Sequence, residues 1–332
     1  MTARRGRVAV EEFRSEVLAG NPLGDSPVRR VPVYLPPSYD EKPDRRYPVV
    51  FFLVGFSARG LTPLNVDPWQ PNLPERLDAL IAGGMGEIIV VVPDCFTRYG
   101  GSQYINSPAV GRYEDHVVQE LVPWVDARFR TRPDRRGVMG KSSGGYGALV
   151  LAMRHPDVFH AAASHSGDMY FEYCYKPDFP RALNAFQRAG GPEAWWQRFL
   201  EKPKKSGDDF PALNTLAMAA CYSPNPEAPL GVDWPFDLET GRLRDDVWAR
   251  WLEHDPVFLV DRHADALRRL RLLYLDCGTR DEFNLHFGAR IFARRLRELG
   301  IPHEHEEFDD THGGTSYRYD VSLPKLARAL EA

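Results

Sequence analysis

Between Arg136 and Met153 the chain reads Arg-Gly-Val-Met-Gly140-Lys-Ser142-Ser-Gly144-Gly-Tyr-Gly-Ala-Leu-Val-Leu-Ala-Met. A short apolar run leads into a serine bounded by glycines two residues to either side, and an Ala- and Leu-rich helical stretch follows. A sharp strand-to-helix turn of this kind forces its serine into strained backbone geometry, where flanking side chains larger than hydrogen would strike the adjoining elements. Ser142 is therefore the candidate nucleophile. The turn sets it at a helix start, whose free N–H groups and positive dipole end favour a developing oxyanion. Ser143 has no glycine two residues before it, so it is assigned the backbone role of donating its N–H to that oxyanion. Gly140-Lys141-Ser142 also matches the end of a phosphate-binding Walker loop. That loop needs a glycine five residues before Gly140, where Arg135 stands instead.

A serine hydroxyl is a weak nucleophile at neutral pH. It needs a histidine to take its proton and a carboxylate to orient the imidazole and stabilise its charged form. Behind such an elbow the chain order is Ser, then Asp or Glu, then His. Leu272-Leu-Tyr-Leu-Asp-Cys-Gly278-Thr-Arg-Asp281 supplies a strand and a turn that ends in an acid, which makes Asp281 the candidate. Asp276, at the strand's edge, and Glu282, one residue past the turn, are the alternatives. Glu304-His-Glu-Glu-Phe308-Asp-Asp-Thr-His312-Gly-Gly reads as a last strand and a glycine-bearing loop, so His312 is the candidate base. The second oxyanion donor is expected just after the strand Val49–Val54, at the N–H of Phe56. His303 and His305 alternate along the last strand and would share one face, but strand histidines beside acidic residues are ordinarily surface polar groups, and no metal site is assigned.

These residues need a scaffold that gathers strand ends. β-Branched and aromatic runs at Val31–Leu35, Val49–Val54, Glu87–Val92, Gly137–Met139, His160–Ser164, Leu272–Asp276 and His303–Phe308 read as buried strands. Several are separated by segments of helical periodicity, the clearest from Asn284 to Leu299. The alternation predicts an α/β fold: a mostly parallel central sheet with helices on both faces and the site at the strands' carboxyl ends. From about 168 to 255 the rhythm gives way to a Pro- and aromatic-rich segment holding Trp195, Trp196, Trp234, Trp248 and Trp251. It reads as a cap inserted over the pocket of a single domain spanning 1–332, although each tryptophan taken alone fits a small core of the insertion itself.

With these residues assembled, the chain resembles the esterase D superfamily of α/β-hydrolases, which includes S-formylglutathione hydrolases, feruloyl and enterochelin esterases, and mycolyltransferases. The resemblance rests on Val33-Tyr-Leu-Pro-Pro-Ser-Tyr39, Pro93-Asp94 with Gly101-Ser-Gln-Tyr104, Glu114-Asp115 with Glu120-Leu-Val-Pro123, the elbow with Gly145-Tyr-Gly-Ala148, and the Asp281 and His312 segments. It implies an α/β-hydrolase fold with Ser142, Asp281 and His312 as triad and Phe56 and Ser143 as oxyanion donors. Where many relatives carry His-Gly before the oxyanion residue, this chain has Val54-Gly55.

The expected chemistry is two-step acyl transfer on a small-molecule ester or thioester, with no cofactor. Gln103, Tyr104 and Asn106, with His165 and Tyr170 after the following strand, leave the same end of the sheet and are expected to border the substrate. An acyltransferase would use the same triad with an alcohol or sugar as acceptor. A peptidase of this fold is disfavoured by the lack of room for a gating domain, and a non-catalytic binding module would be expected to have lost a triad member. A net charge of −4 without long basic runs argues against a nucleic-acid partner. The apolar runs are about half the roughly 20 residues of a membrane span. The N-terminus lacks a signal-peptide pattern, and the four scattered cysteines fit unpaired thiols, so a cytoplasmic location is expected. Oligomeric state is not assigned.

Overall fold

Val49, Phe51 and Leu53 point to one side of their strand and Val50 and Phe52 to the other, and all five are buried. That is the signature of a strand covered on both faces. The computed structural model describes residues 5–331 and places this strand third in chain order among ten. The strands are β1 (Arg7–Arg14), β2 (Val28–Leu35), β3 (Tyr47–Leu53), β4 (Ile89–Val91), β5 (Asn106–Ser107), β6 (Gly111–Arg112), β7 (Thr131–Lys141), β8 (Ala161–His165), β9 (Leu272–Gly278) and β10 (Glu304–Phe308). β5 and β6 form a small ribbon. The other eight make one sheet in the order β1-β2-β4-β3-β7-β8-β9-β10. β2 pairs antiparallel with β1 and β4, and from β4 to β10 every neighbour is parallel. The carboxyl ends of β3, β7, β8, β9 and β10 therefore open on one edge, as crossover connections require.

Helices cover both faces. On one side Leu73 and Leu77 of the helix Leu73–Ala82 join Leu323, Leu326, Ala327 and Leu330 of the C-terminal helix Tyr319–Glu331 over Val50, Phe52 and Tyr274. On the other, the helices Ser143–Arg154 and Leu285–Glu298 bury Leu149, Leu285, Phe292 and Leu296 against Val49, Phe51, Leu273 and Leu275. The same apolar cluster continues into the segment between β8 and β9. There Trp251 is fully buried against Phe179, Tyr222 and Trp248, with ring centroids 5.5–5.6 Å apart. The tryptophans of this segment thus belong to the same buried cluster as the main core.

β1 was not expected from the sequence. Its alternation Val-Ala-Val-Glu-Glu-Phe leaves it half exposed at the sheet edge, where apolar runs are absent. All four cysteines are buried and free. Among the described residues no helix is long and apolar enough to cross a membrane.

Candidate active site

β7 ends at Lys141, and Ser142 takes φ 58°, ψ −125°, outside the regions open to ordinary L-residues. The turn is held from both sides: Ser142 N–H donates to His165 O at 2.9 Å, and Ser142 O accepts from Tyr146 N–H at 2.9 Å. A Cβ on Gly140 would fall 2.6 Å from Leu53 O, and one on Gly144 would fall 2.7 Å from Leu53 C and 2.9 Å from Val54 O. Both glycines are therefore required where the helix crosses the end of β3. Ser143 opens that helix, so its N–H has no partner within it.

The loop after β3 lies against the elbow, since a Cβ on Gly55 would sit 3.3 Å from Lys141 O and 3.6 Å from Ser142 Cβ. Its path is set by Tyr104 OH, which donates to Val54 O at 2.7 Å, and by Ser57 N–H, which donates to Gly100 O at 2.8 Å. Phe56, Ser142 and Ser143 together line a recess of about 30 Å³, a volume on the scale of a single water.

Asp281 and His312 arrive from the ends of β9 and β10. The two loops are tied by Thr279 N–H to Phe308 O at 2.9 Å and Arg280 N–H to Asp310 O at 3.0 Å. His312 Nδ1 lies 2.7 Å from Asp281 Oδ2. Asp281 is buried, and its Oδ1 accepts from Phe283 N–H at 2.9 Å. Burial alone would raise this carboxyl's pKa, but the His312 hydrogen bond and charge, with the Phe283 and Leu285 N–H groups, hold it below the usual value. With Nδ1–H donated to Asp281, the ring's Nε2 is left as a proton acceptor. Phe283 sits edge-on to the imidazole with centroids 4.8 Å apart.

The two alternative acids have other partners. Glu282 accepts the His312 backbone N–H at 2.8 Å. Asp276 Oδ1 lies 2.7 Å from His165 Nδ1, and its Oδ2 accepts from Arg318 Nε at 2.9 Å. His165 Nε2 lies 2.8 Å from Ser322 Oγ. The molecule thus contains a second Ser-His-Asp chain, but Ser322, His165 and Asp276 are at most 2% exposed and pin the C-terminal helix to the sheet. His165 is therefore corrected from a substrate contact to a structural one.

Ser142 and His312 share a cavity of about 610 Å³. Phe52, Val54, Leu73, Phe210, Phe283 and Tyr319 form apolar parts of its wall, and Asn65, Gln70, Arg76, Lys141 and Ser316 form polar ones. Trp69, next to Gln70 on the loop that borders it, is 90% exposed. None of Gln103, Tyr104, Asn106, His165 and Tyr170 lines this cavity. Gln103 is buried with its amide 2.9 Å from Tyr222 OH and 3.1 Å from Asp168 Oδ2. With Tyr104 it borders only a void of about 10 Å³ behind Phe56. Asn106 Oδ1 accepts from Asp115 N–H at 3.1 Å. Tyr170, at φ 56°, precedes the short helix Phe171–Cys174 and packs on Tyr173, centroids 4.8 Å apart. Leaving the correct end of the sheet was insufficient, because these chains turn back into the core or away from the elbow.

The residues missed on the cavity wall come mainly from the 58–72 segment after β3, with Leu73 and Arg76 of the Leu73–Ala82 helix and Ser316 beyond His312. Arg76 had a readable signal: with Leu73 and Leu77 it falls at i, i+3, i+4 on the buried face. Phe210 and Tyr319 had none, since each comes from an element whose docking depends on the whole fold.

The Esterase family model matches residues 27–325. An esterase of Mycobacterium tuberculosis (strain ATCC 25618 / H37Rv) is 39% identical over 251 residues, covering 70% of this chain and 43% of its own length. The chain therefore spans less than half the length of that curated relative. S-formylglutathione hydrolase of Mus musculus is 23% identical over 154 residues, covering 41% of this chain and 50% of its own. Among solved structures, a ferulic acid esterase superposes with TM-score 0.64 at 20% identity over 98% of this chain and 99% of that one. An S-formylglutathione hydrolase from Agrobacterium tumefaciens gives TM-score 0.63 at 19% identity, covering 99% and 98%. Fold, sheet order and the extent of the family match agree, and the chain belongs to the Esterase family of α/β-hydrolases.

Proposed function

We propose that this protein is a serine hydrolase of carboxylic esters or thioesters that works through an acyl-enzyme. Ser142 Oγ attacks the carbonyl carbon while His312 Nε2 takes its proton, and Asp281 orients the imidazole and stabilises its positive charge. The carbonyl oxygen, negative in the tetrahedral intermediate, is held by the N–H groups of Phe56 and Ser143. Collapse breaks the bond to the alcohol or thiol, which leaves with the proton from His312. Water, giving a proton to His312, then attacks the acyl carbonyl carbon; the bond from that carbon to Ser142 Oγ breaks, Oγ takes the proton back from His312, and the acid is freed.

The observation that carries this reading is a serine in strained geometry that shares one cavity with a histidine whose Nδ1 lies 2.7 Å from a buried aspartate. The curated relatives, by name an esterase and an S-formylglutathione hydrolase, are consistent with ester and thioester substrates. The test is hydrolysis of short-chain p-nitrophenyl esters by wild type and Ser142→Ala, with mass spectrometry after a fluorophosphonate probe. One adduct on Ser142 and activity abolished in the variant are expected. Turnover that survives Ser142→Ala, or an adduct elsewhere, would overturn the assignment.

A further inference from the structure

Lys141 is the last residue of β7 and directly precedes Ser142, so their Cα atoms are about 3.8 Å apart. It lines the same cavity as Ser142 and His312 and is only half exposed. Among the described residues its ammonium has no ion-pair or hydrogen-bond partner. The carboxylates that face it are each committed elsewhere. Asp281 is held by His312, Asp276 by His165 and Arg318, and Glu282 by the His312 N–H. Asp310 accepts from Thr311 N–H at 2.8 Å and Tyr317 OH at 3.0 Å. They act on Lys141 only from a distance, and burial pushes its ammonium below the ordinary lysine value despite them.

Arg76, on the cavity wall, is different because its guanidinium is neutralised by Asp320 at 2.6 Å. Asp67, also on the wall, accepts from the N–H groups of Trp69 and Gln70 at 2.8 and 3.2 Å. Among the described residues that line the cavity, Lys141 is therefore the lysine or arginine with no anion in direct contact. A cation partly withdrawn from water with no anion in contact is costly, and an anion that enters the cavity and pairs with it directly recovers part of that cost.

We propose that Lys141 selects esters carrying a second, anionic group, a carboxylate a few bonds from the scissile carbonyl, and pairs with it while Ser142 attacks. The inference rests on the reading of Ser142 as nucleophile. It makes Lys141 a specificity-determining residue.

The test compares pairs of substrates of similar size, one charged and one neutral, the first pair sharing its leaving group and the second its acyl group. Mono-p-nitrophenyl adipate against p-nitrophenyl hexanoate puts the charge on the acyl arm, and 4-acetoxybenzoate against methyl 4-acetoxybenzoate puts it on the alcohol arm. Wild type is expected to favour the charged member of one pair by at least about tenfold in kcat/KM, mostly through KM, and the pair that discriminates identifies the arm. Lys141→Met should abolish that preference and Lys141→Arg should keep it. No preference in wild type for either charged ester overturns the proposal, and that comparison needs no variant to fold. A preference that survives Lys141→Met overturns it too, as does a loss in Lys141→Met shared equally by charged and neutral esters. Failure of the hydrolase reading itself looks different: the neutral esters would not turn over through Ser142 at all.

Discussion

Replacing Gly144 by alanine tests whether the elbow geometry is as tightly constrained as the structure indicates. The new Cβ would lie 2.7 Å from Leu53 C and 2.9 Å from Val54 O, and closer still to Leu53 O, where ordinary contact begins at 3.4 Å. All three are backbone atoms at the end of β3, so no side chain can rotate away, and either the elbow or the strand end must move by roughly 1 Å or more. Overpacking of this kind costs about 1–3 kcal/mol or more, and with three backbone collisions the upper figure applies. An unfolding entropy of about 2.1 cal/mol/K per residue amounts to about 0.7 kcal/mol/K for this chain, so about 3 kcal/mol lowers Tm by about 4 °C. Because the displaced backbone leads into Gly55 and Phe56, the Phe56 N–H, the proposed oxyanion donor, moves with it. A misplacement near 1 Å can lower the rate by about 10²-fold. Differential scanning calorimetry and p-nitrophenyl acetate kinetics read both effects, with Gly207→Ala as control, since a Cβ there meets nothing within 4 Å. Gly144→Ala with Tm within about 1 °C of wild type and kcat/KM within about twofold would refute the steric argument.

Asp281→Asn should lower kcat by about 10³–10⁴-fold, because an amide favours the wrong imidazole tautomer. Glu282→Gln, which removes only the charge facing a backbone N–H, should cost less than about tenfold on the same ester assay. Glu120 is pushed up by burial, but His116, Ser15 and the N–H groups of Val17 and Glu16 overcome this and bring its pKa down to about 2. Its stabilisation is therefore fully present above the ordinary value of 4.5 and is lost as pH falls through about 2. Glu120→Gln should lose about 1–2 kcal/mol in urea titrations at pH 7, with a smaller deficit at pH 3; an equal deficit at both would count against the assignment. His165→Leu breaks the buried chain to Asp276 and Ser322 and should cost about 2–3 kcal/mol of stability. Turnover per fluorophosphonate-titrated site should remain within about threefold, and a far larger loss would mean that His165 takes part in the chemistry.

The elbow was legible because its signature is local, with Gly140 and Gly144 two residues to either side of Ser142, even though the Leu53 and Val54 backbone atoms that a Cβ on Gly144 would strike belong to the end of β3. Asp281 and His312 were legible because each follows an apolar strand at a turn, and parallel strands carry such turns to one edge of the sheet. The pocket was not legible in the same way. Asn106 and Tyr170 leave near the right edge, but hydrogen bonds to Asp115 and Asp255 turn their loops elsewhere. Gln103 and Tyr104, both at positive φ, fold inward beneath the elbow. The cavity wall comes instead from the 58–72 segment with Leu73 and Arg76, from Phe210 and from Tyr319, three parts of the chain far apart in sequence whose meeting is a property of docking in the whole fold. Lys141 was in view only as part of a discarded phosphate-loop pattern, and its isolation from counter-charges emerges only once its neighbours' partners are known.

Trp69, nine-tenths exposed on the loop beside the cavity, gives the molecule a fluorescent marker where ligands would enter. Of the seven tryptophans, Trp195, Trp196, Trp234, Trp248 and Trp251 are buried and Trp124 is half-buried, so their indoles emit from apolar surroundings. Emission at the red edge therefore comes chiefly from an indole in water, open to collisional quenchers such as iodide. A molecule occupying the cavity would shield it, and its arrival could be followed by light alone, without turnover and without attaching a dye.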